Sequence, residues 1–367
     1  MAPGTRMKLD RWFRIALQVL LFLLACAVSL TGLVVLYFHP PTRCLRGLVY
    51  GERHGRPLTM DVAFPASPNG RGVLLMMSGS WKSRPGSFRP WLVAPLLRRG
   101  YTVFAIYHVS QPEATVMEIV EDVCRAARHV HQHASEYGVD PQSLGVTGGS
   151  SGGHLALMLA TGACPGETQG TPGGDAPAGL VRAAAVFFPV TDLLNLGAST
   201  ENAGDGGPPR SFVRAFGPQA TNLAQWRAIG RSVSPIYHVH PHLPPILILH
   251  GDADTLVPLE QSLRFQEAAR RLGGHVEVRV KPGGRHGWWT LPWDIRAFAD
   301  WFDRHMGPPA FEARRRKSLP RAATSDVIDH ASLRTTQWLG PATAVNFTAP
   351  FSPTLSKPLD TSATPPD

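Results

Sequence analysis

A serine inside a glycine-rich stretch is the first residue whose setting indicates chemistry. The run LGVTGGSSGGHLALMLA places an apolar strand before Gly-Gly-Ser-Ser-Gly-Gly and a helix-forming segment after it. A strand-to-helix turn of the type G-x-S-x-G holds its central serine in a strained conformation that only small neighbours permit, and its hydroxyl stands above the sheet edge. The pattern therefore predicts a nucleophilic serine.

Two serines fit this turn. The frame Gly148-x-Ser150-x-Gly152 selects Ser150, and the frame one residue later selects Ser151. We favour Ser150, because Ser151 would then follow the nucleophile and supply one backbone amide of an oxyanion hole. The alternative is a glycine-rich loop that only caps a helix.

A carboxylate and a histidine follow later strands. The buried strand ILILH leads into a loop with Asp252 and Asp254, and a carboxylate there is well placed to orient a histidine. We predict this role for Asp254 and local structure for Asp252, although either one could cap the next helix. His286, in a glycine-flanked loop, would act as general base and then as acid. The order Ser150, Asp254, His286 is that of a triad built on an α/β sheet.

Two other histidines compete for the role of base. His154 lies within the helix after the serine, and His250 precedes the acidic loop. We predict that both are structural.

The rest of the oxyanion hole is expected after the strand Val73–Met77, in the loop Ser78-Gly79-Ser80-Trp81. The backbone amides of Gly79 and Ser80 would complement that of Ser151. Each donor aimed at the developing charge contributes roughly 10²–10³ in rate, so this loop is predicted to be functional.

Three tryptophans lie in loops near these residues: Trp81, Trp288 and Trp289. They are candidates for an aromatic wall around an acyl or sugar group. The alternative is that they only pack, as loop tryptophans often do.

The elements that position these residues follow an α/β pattern. Apolar strand-like runs alternate with amphipathic stretches, which predicts a mostly parallel sheet flanked by helices. A hairpin over Leu45–Pro65 precedes them, with turn chemistry at His54-Gly55-Arg56-Pro57. The expected strands are Gly72–Met77, Tyr101–Tyr107, Ser143–Thr147, Val181–Pro189, Pro245–His250 and His275–Lys281. The expected helices lie near Phe88–Arg99, Thr115–Glu136, Ser151–Thr161, Leu259–Leu272 and Leu291–Met306.

The N-terminus carries a membrane signal. Residues 1–14 form a basic tail. Residues 15–38 contain no charge, and the length of this run exceeds the roughly 20 residues that a spanning helix needs. A cleaved signal peptide is the alternative, but its apolar region should be about 7–15 residues long and end in small residues. This run ends in Leu-Tyr-Phe-His-Pro-Pro. We predict an uncleaved single-pass helix whose partner is the lipid bilayer.

The orientation of that helix is nearly balanced by charge. Basic residues lie on both sides of it: Arg6, Lys8, Arg11 and Arg14 before, and Arg43, Arg46, Arg53 and Arg56 after. Because the numbers of basic residues on the two sides are nearly equal, the positive-inside rule does not decide the orientation. We therefore use the tendency of short N-terminal tails to stay inside and expect an external catalytic domain.

Composition limits the remaining possibilities. A chain of 367 residues with 43% apolar content can bury one core of roughly 250 residues, so we expect one catalytic domain over residues 39–306, with residues 198–234 as a cap. Residues 307–367 are rich in Pro, Ser and Thr and are predicted to be disordered. The excess of 36 Lys and Arg over 27 Asp and Glu is scattered, which argues against nucleic acid.

Four cysteines have neither metal-ligand spacing nor the density of a disulfide framework: Cys26, Cys44, Cys124 and Cys164. We interpret Cys124 as a small buried hydrophobe within its helix. The predicted chemistry requires no metal and no organic cofactor.

Taken in order, several motifs resemble a carboxylesterase-type α/β-hydrolase. They are SGSW, the strand end at Tyr107, DPQSLGVTGGSSGGHLA, SPIYHV, PPILILHGDADTLVP and GGRHG, covering about Val49 to Met306. The resemblance is to the BD-FAE-like group of feruloyl and acetyl-xylan esterases, with relatives in the hormone-sensitive-lipase and prolyl-oligopeptidase families. That family's usual oxyanion motif is His-Gly-Gly-Gly-Trp, whereas this chain has Met77-Ser78-Gly79-Ser80-Trp81. The departure leaves open which amide points inward.

The resemblance implies hydrolysis of a small-molecule ester, with an acylated carbohydrate among the candidates, through an acyl-enzyme on the predicted serine. A peptidase of the prolyl-oligopeptidase type is one alternative, and the absence of a propeller-sized N-terminal domain argues against it. A catalytically silent, membrane-tethered binding protein is the other, and the complete triad argues against that.

Overall fold

The computed structural model describes residues 3–164 and 179–307, with side chains from Trp12 onward. The predicted tail 307–367 lies outside this part of the chain except for Gly307. The strands are β1 (Thr42–Arg53), β2 (Arg56–Pro65), β3 (Gly72–Met76), β4 (Thr102–Ile106), β5 (Leu144–Gly149), β6 (Ala183–Phe187), β7 (Ile246–Gly251) and β8 (Val276–Lys281). The helices are α1 (Pro3–Phe38), α2 (Ala94–Arg98), α3 (Val116–Gln132), α4 (Ser151–Ala160), α5 (Leu223–Ser232), α6 (Glu260–Arg271) and α7 (Leu291–His305).

These strands form one sheet in the order β1-β2-β4-β3-β5-β6-β7-β8. The first two pair as a hairpin whose turn residues, His54 and Gly55, both have positive φ, at 52° and 72°. Strand β2 is antiparallel to β4, and the six strands from β3 to β8 run parallel to one another. The carboxyl ends of the parallel strands therefore meet at one edge, where ligands bind in sheets of this kind.

Helices cover both faces of the sheet. Helices α2 and α7 lie on one face, where Phe298, Trp301 and Phe302 pack into a buried cluster. Helices α3, α4 and α6 lie on the other face. Helix α3 begins with a capping box between Thr115 and Glu118 and buries its apolar side against the sheet. The predicted mostly parallel α/β sheet flanked by helices is confirmed.

The helix expected near Phe88–Arg99 is split. A 3₁₀ turn over Pro90–Val93 precedes the five-residue helix α2. Pro95 has no N–H to donate to the carbonyl of Trp91, so one continuous α-helix cannot form across this point.

Cys124 is buried, as predicted, but it is not a free cysteine. Cys124 in α3 forms a disulfide with Cys164, just after α4, with a Cα–Cα distance of 5.7 Å across 40 residues of sequence. The two helices pack against each other, which the spacing of cysteines along the chain does not reveal. The other two cysteines, Cys26 and Cys44, are free.

The N-terminal helix is longer than the apolar run that predicts it. Within residues 12–38, the most apolar 18-residue stretch has a mean hydropathy of 2.8 and the protein buries none of it, so the length and composition of this helix suit a membrane crossing. A signal sequence near an N-terminus meets the same criteria. The end of α1 contacts the catalytic domain, because Tyr37 stacks on Trp293 and the guanidinium of Arg98 donates to the Tyr37 carbonyl oxygen.

Candidate active site

The turn between β5 and α4 has the predicted strained shape. Ser150 adopts φ 54° and ψ −122°, in the left-handed half of the backbone map. A Cβ on Gly148 would lie 2.4 Å from the carbonyl oxygen of Gly152, and a Cβ on Gly152 would lie 2.5 Å from that of Met76. Only glycine fits at these two positions, which is why the serine can stand at the sheet edge.

Three side chains meet at this edge from separate loops. The Nε2 atom of His286 lies 2.9 Å from Oγ of Ser150, and its Nδ1 atom lies 2.8 Å from Oδ2 of Asp254. A carboxylate only accepts, so Nδ1 carries the proton and Nε2 accepts from the serine hydroxyl. This tautomer leaves Nε2 ready to take the serine proton.

Asp254 is buried and ionised. Burial alone would raise its pKa, but hydrogen bonds from the rings of His250 and His286 and from the Val257 amide hold the pKa well below its ordinary value. Its Oδ1 atom accepts from the amides of Leu256 and Val257, each at 3.0 Å. The carboxylate is therefore fixed in place and charged at neutral pH.

Asp252 lies apart from this constellation. It is exposed, and its Oδ1 atom accepts from the Gly283 amide at 2.7 Å, which ties the acidic loop to the histidine loop. This position agrees with the local structural role predicted for it.

In the part of the chain that the structure describes, neither competing histidine ring bonds to the Ser150 hydroxyl, although Nε2 of His250 lies 3.5 Å from Oδ2 of Asp254. His154 is fully buried, donates from Nε2 to the Val233 carbonyl at 2.7 Å, and accepts the indole N–H of Trp81 at Nδ1. Burial lowers the pKa of His154 to about 4, so it is neutral. His250 is also buried, between the Val257 carbonyl and the Ser262 hydroxyl. Both positions are consistent with structural roles.

The predicted oxyanion amides differ in their availability. Gly79 donates its amide to the Lys82 carbonyl at 3.0 Å, so it is occupied within a tight turn and does not fit the donor role. In the part of the chain that the structure describes, the amides of Ser80 and Ser151 donate to no protein acceptor. Both residues line the same cavity as Ser150.

That cavity has a mainly apolar wall. Its empty volume is about 500 Å³, including the part open to solvent, and Trp81 forms one side of it. Side chains that the sequence did not suggest complete the wall: Val190, Leu193, Leu196, Pro209, Phe212, Leu256, Val257 and Pro258. These residues follow β6 and β7 or lie within 198–234, and apolar residues in loops were the only signal for them.

The other two predicted wall tryptophans lie outside this cavity. Trp288 packs on Phe187 and Phe188, and its indole N–H donates to Asp294. Trp289 is 87% exposed. Of the three predicted tryptophans, Trp81 alone lines this cavity.

No group of three or more His, Cys, Asp or Glu side chains in residues 3–164 and 179–307 has an arrangement that would hold a metal ion.

Known proteins resemble this chain over the catalytic region. Esterase LipQ of Mycobacterium tuberculosis is 31% identical over 226 residues, which are 60% of this chain and 51% of LipQ. The probable carboxylic ester hydrolase LipM of the same organism is 31% identical over 196 residues, 53% of this chain and 43% of LipM. The chain thus spans about half the length of these curated relatives.

A solved structure agrees with the fold. A thermophilic esterase from Thermogutta terrifontis has a TM-score of 0.55 and 27% identity, covering 74% of this chain and 96% of that one. The BD-FAE family model matches residues 60–269, more than half of the sequence. The chain is accordingly a member of the BD-FAE family of α/β-hydrolases.

Proposed function

We propose that this chain is a serine esterase that hydrolyses carboxylic esters through an acyl-enzyme on Ser150. The observation that carries the proposal is the unbroken hydrogen-bonded sequence from Ser150 to His286 to Asp254 at the mouth of an apolar cavity. The relatives named esterase or carboxylic ester hydrolase support the reaction class.

The mechanism follows from the positions of the protons. As Oγ of Ser150 bonds to the ester carbonyl carbon, Nε2 of His286 takes its proton, and Asp254 stabilises the imidazolium. The carbonyl electrons move to oxygen, and the amides of Ser80 and Ser151 donate to this oxyanion. The intermediate collapses, the C–O bond to the alcohol breaks, and His286 returns the proton to the leaving oxygen. Water then repeats these steps and releases the acid.

We propose that helix α1 anchors the enzyme in a membrane with the catalytic domain outside the cytosol. The disulfide between Cys124 and Cys164 supports this orientation, because disulfides persist in oxidising compartments and are rare in the cytosol. Carbonate extraction should leave the full-length protein in the membrane fraction, and added protease should digest its catalytic domain in intact spheroplasts. A soluble, shortened protein or a protected domain would contradict the anchor or the orientation, respectively.

We propose that residues 198–234 act as a cap. Pro209 and Phe212 from this segment line the cavity, and the ring of Phe212 lies 5.4 Å from that of Trp81. An apolar wall of this kind suits an acyl group better than a sugar, so an acylated carbohydrate would place its sugar toward solvent.

Labelling with a fluorophosphonate separates the enzyme from a silent scaffold and identifies the nucleophile. Wild-type protein should label, and Ser150→Ala should lose both the label and about 10⁴-fold or more of its turnover of a short-chain p-nitrophenyl ester. Ser151→Ala distinguishes the two serines and should still label, at Ser150. Label on Ser151, or no reaction of the wild-type protein, would refute the proposal. Parallel assays with peptide, acetylated-sugar and feruloyl substrates test the alternatives.

A further inference from the structure

The oxyanion loop has an unfavourable backbone. Ser80 and Trp81 are consecutive residues with φ of 53°, in the left-handed region. Each non-glycine residue there costs roughly 1–2 kcal/mol, and the related motif places a glycine where this chain has Ser80. Contacts from the rest of the fold must therefore hold this loop in its observed shape.

The two peptide groups around Ser80 are both held. The Gly79 carbonyl accepts from the Lys82 amide at 2.9 Å, so the Ser80 N–H of the same trans peptide points away from that turn. In the next peptide group, the Trp81 N–H donates to Oγ of Ser151 at 3.0 Å. The direction of the Ser80 amide depends on both restraints.

The second restraint extends into a chain of side chains. His108 donates from Nδ1 to the Val109 carbonyl at 2.8 Å, and its Nε2 atom lies 2.9 Å from the Ser78 hydroxyl. His108 is buried, and burial lowers its pKa to about 4, so it is neutral and Nε2 must accept. Ser78 uses its only proton on His108, and the Ser151 hydroxyl, 3.2 Å away, must donate to Ser78. Oγ of Ser151 is then free to accept from Trp81.

A second neutral histidine holds the same tryptophan from its side chain. The indole N–H of Trp81 donates to Nδ1 of His154 at 3.1 Å. Trp81 is thus fixed at both its amide and its indole nitrogen, and each hydrogen bond has a determined direction.

We propose that His108 and Ser78 are positioning residues that act through the Ser151 hydroxyl to aim the Ser80 amide at the oxyanion. This inference rests on the proposed esterase function. In the related motif, glycines can adopt this backbone shape without such a restraint. In this chain the hydrogen-bonded series His108–Ser78–Ser151, called the relay below, supplies the restraint. Ser78 occupies one of those glycine positions and supplies the bridging hydroxyl. Its effect falls on the transition state, where the charge on the carbonyl oxygen develops.

Three variants test the relay. Ser78→Ala removes the bridging hydroxyl, His108→Leu removes the acceptor, and His108→Gln offers a carbonyl oxygen in its place. We expect the first two to lower kcat by about 10-fold to 100-fold, a part of the 10²–10³ that an oxyanion donor contributes, with KM nearly unchanged. The glutamine variant should recover most of the loss. Thr161→Val, which removes a buried hydroxyl bonded only within helix α4, is the matched control and should keep wild-type kcat.

The Ki of a trifluoromethyl ketone distinguishes a positioning role from a merely structural one. It forms a tetrahedral anionic adduct on the serine, so its Ki should rise by the same factor as kcat/KM falls. Fluorophosphonate labelling of every variant separates the two hypotheses. No label on the wild-type protein refutes the esterase proposal itself. Labelled, folded Ser78→Ala with wild-type kcat and Ki refutes the relay alone, even if His108→Leu fails to fold.

Discussion

Removal of the disulfide between Cys124 and Cys164 tests how much this bond contributes to the free energy of unfolding of the domain that carries Ser150. The bridge closes 40 residues, which include the second half of α3, β5, the turn at Ser150 and α4. In the chain-entropy relation, closing a loop of this length removes about 13 cal/mol/K from the unfolded state, or about 4 kcal/mol at 25 °C. Measured losses are commonly about 2–4 kcal/mol.

The assay is urea unfolding of the full chain in detergent, followed by tryptophan fluorescence. With an m-value of about 3 kcal/mol/M, a loss of about 4 kcal/mol lowers the midpoint by about 1.3 M. Cys124→Ala/Cys164→Ala and the reduced wild-type protein should show the same fall. The matched control is Cys26→Ala/Cys44→Ala, which removes the two free cysteines and should move the midpoint little. An unchanged midpoint in Cys124→Ala/Cys164→Ala would refute the predicted stabilisation by the disulfide.

Four further predictions concern the site. Asp254→Asn should lower kcat by about 10⁴-fold, because the histidine loses its required tautomer, whereas Asp252→Asn should lower it far less in the same p-nitrophenyl ester assay. The folded-state pKa of Asp254 is depressed below an unfolded value of about 3.9. Its charge therefore stabilises the fold above that pH, and the contribution is lost as the pH falls through the folded pKa. Urea midpoints of wild type and Asp254→Asn should differ most at neutral pH and converge in acid, and a constant gap would contradict this linkage. Gly152→Ala should displace the serine turn, since its Cβ would lie 2.5 Å from a backbone carbonyl oxygen, while a Cβ on Gly179 meets nothing within 4 Å among the described residues. Fluorophosphonate labelling should slow sharply in the first variant and stay normal in Gly179→Ala. Phe212→Ala should widen the cavity and shift the preferred p-nitrophenyl ester toward longer acyl chains, and an unchanged chain-length profile would remove Phe212 from the acyl wall.

Local sequence was sufficient for the elements and for the serine turn. Apolar runs and amphipathic periodicity are properties of neighbouring residues, so the strands, most helices and the sheet class follow from them directly. The need for glycine at Gly148 is equally local, because its clash is with Gly152 in the same turn, whereas the clash at Gly152 is with Met76 of β3 and depends on the tertiary structure. The choice between Asp254 and Asp252 was an inference from role, and the fold places only Asp254 beside His286.

Contacts between distant segments were decided by the tertiary structure alone. The disulfide depends on α3 and α4 packing side by side, and the positions of Trp288 and Trp289 depend on how one loop turns over β6. The occupied amide of Gly79 belongs to a tight turn with Lys82 that the sequence did not indicate. The relay from His108 to Ser151 needs coordinates, because its hydrogen bonds join residues 30 and 73 positions apart and leave no periodic trace in a sequence. The sequence by itself determined the reactive residue types and their order; three-dimensional packing decided which groups touch and which way each proton points.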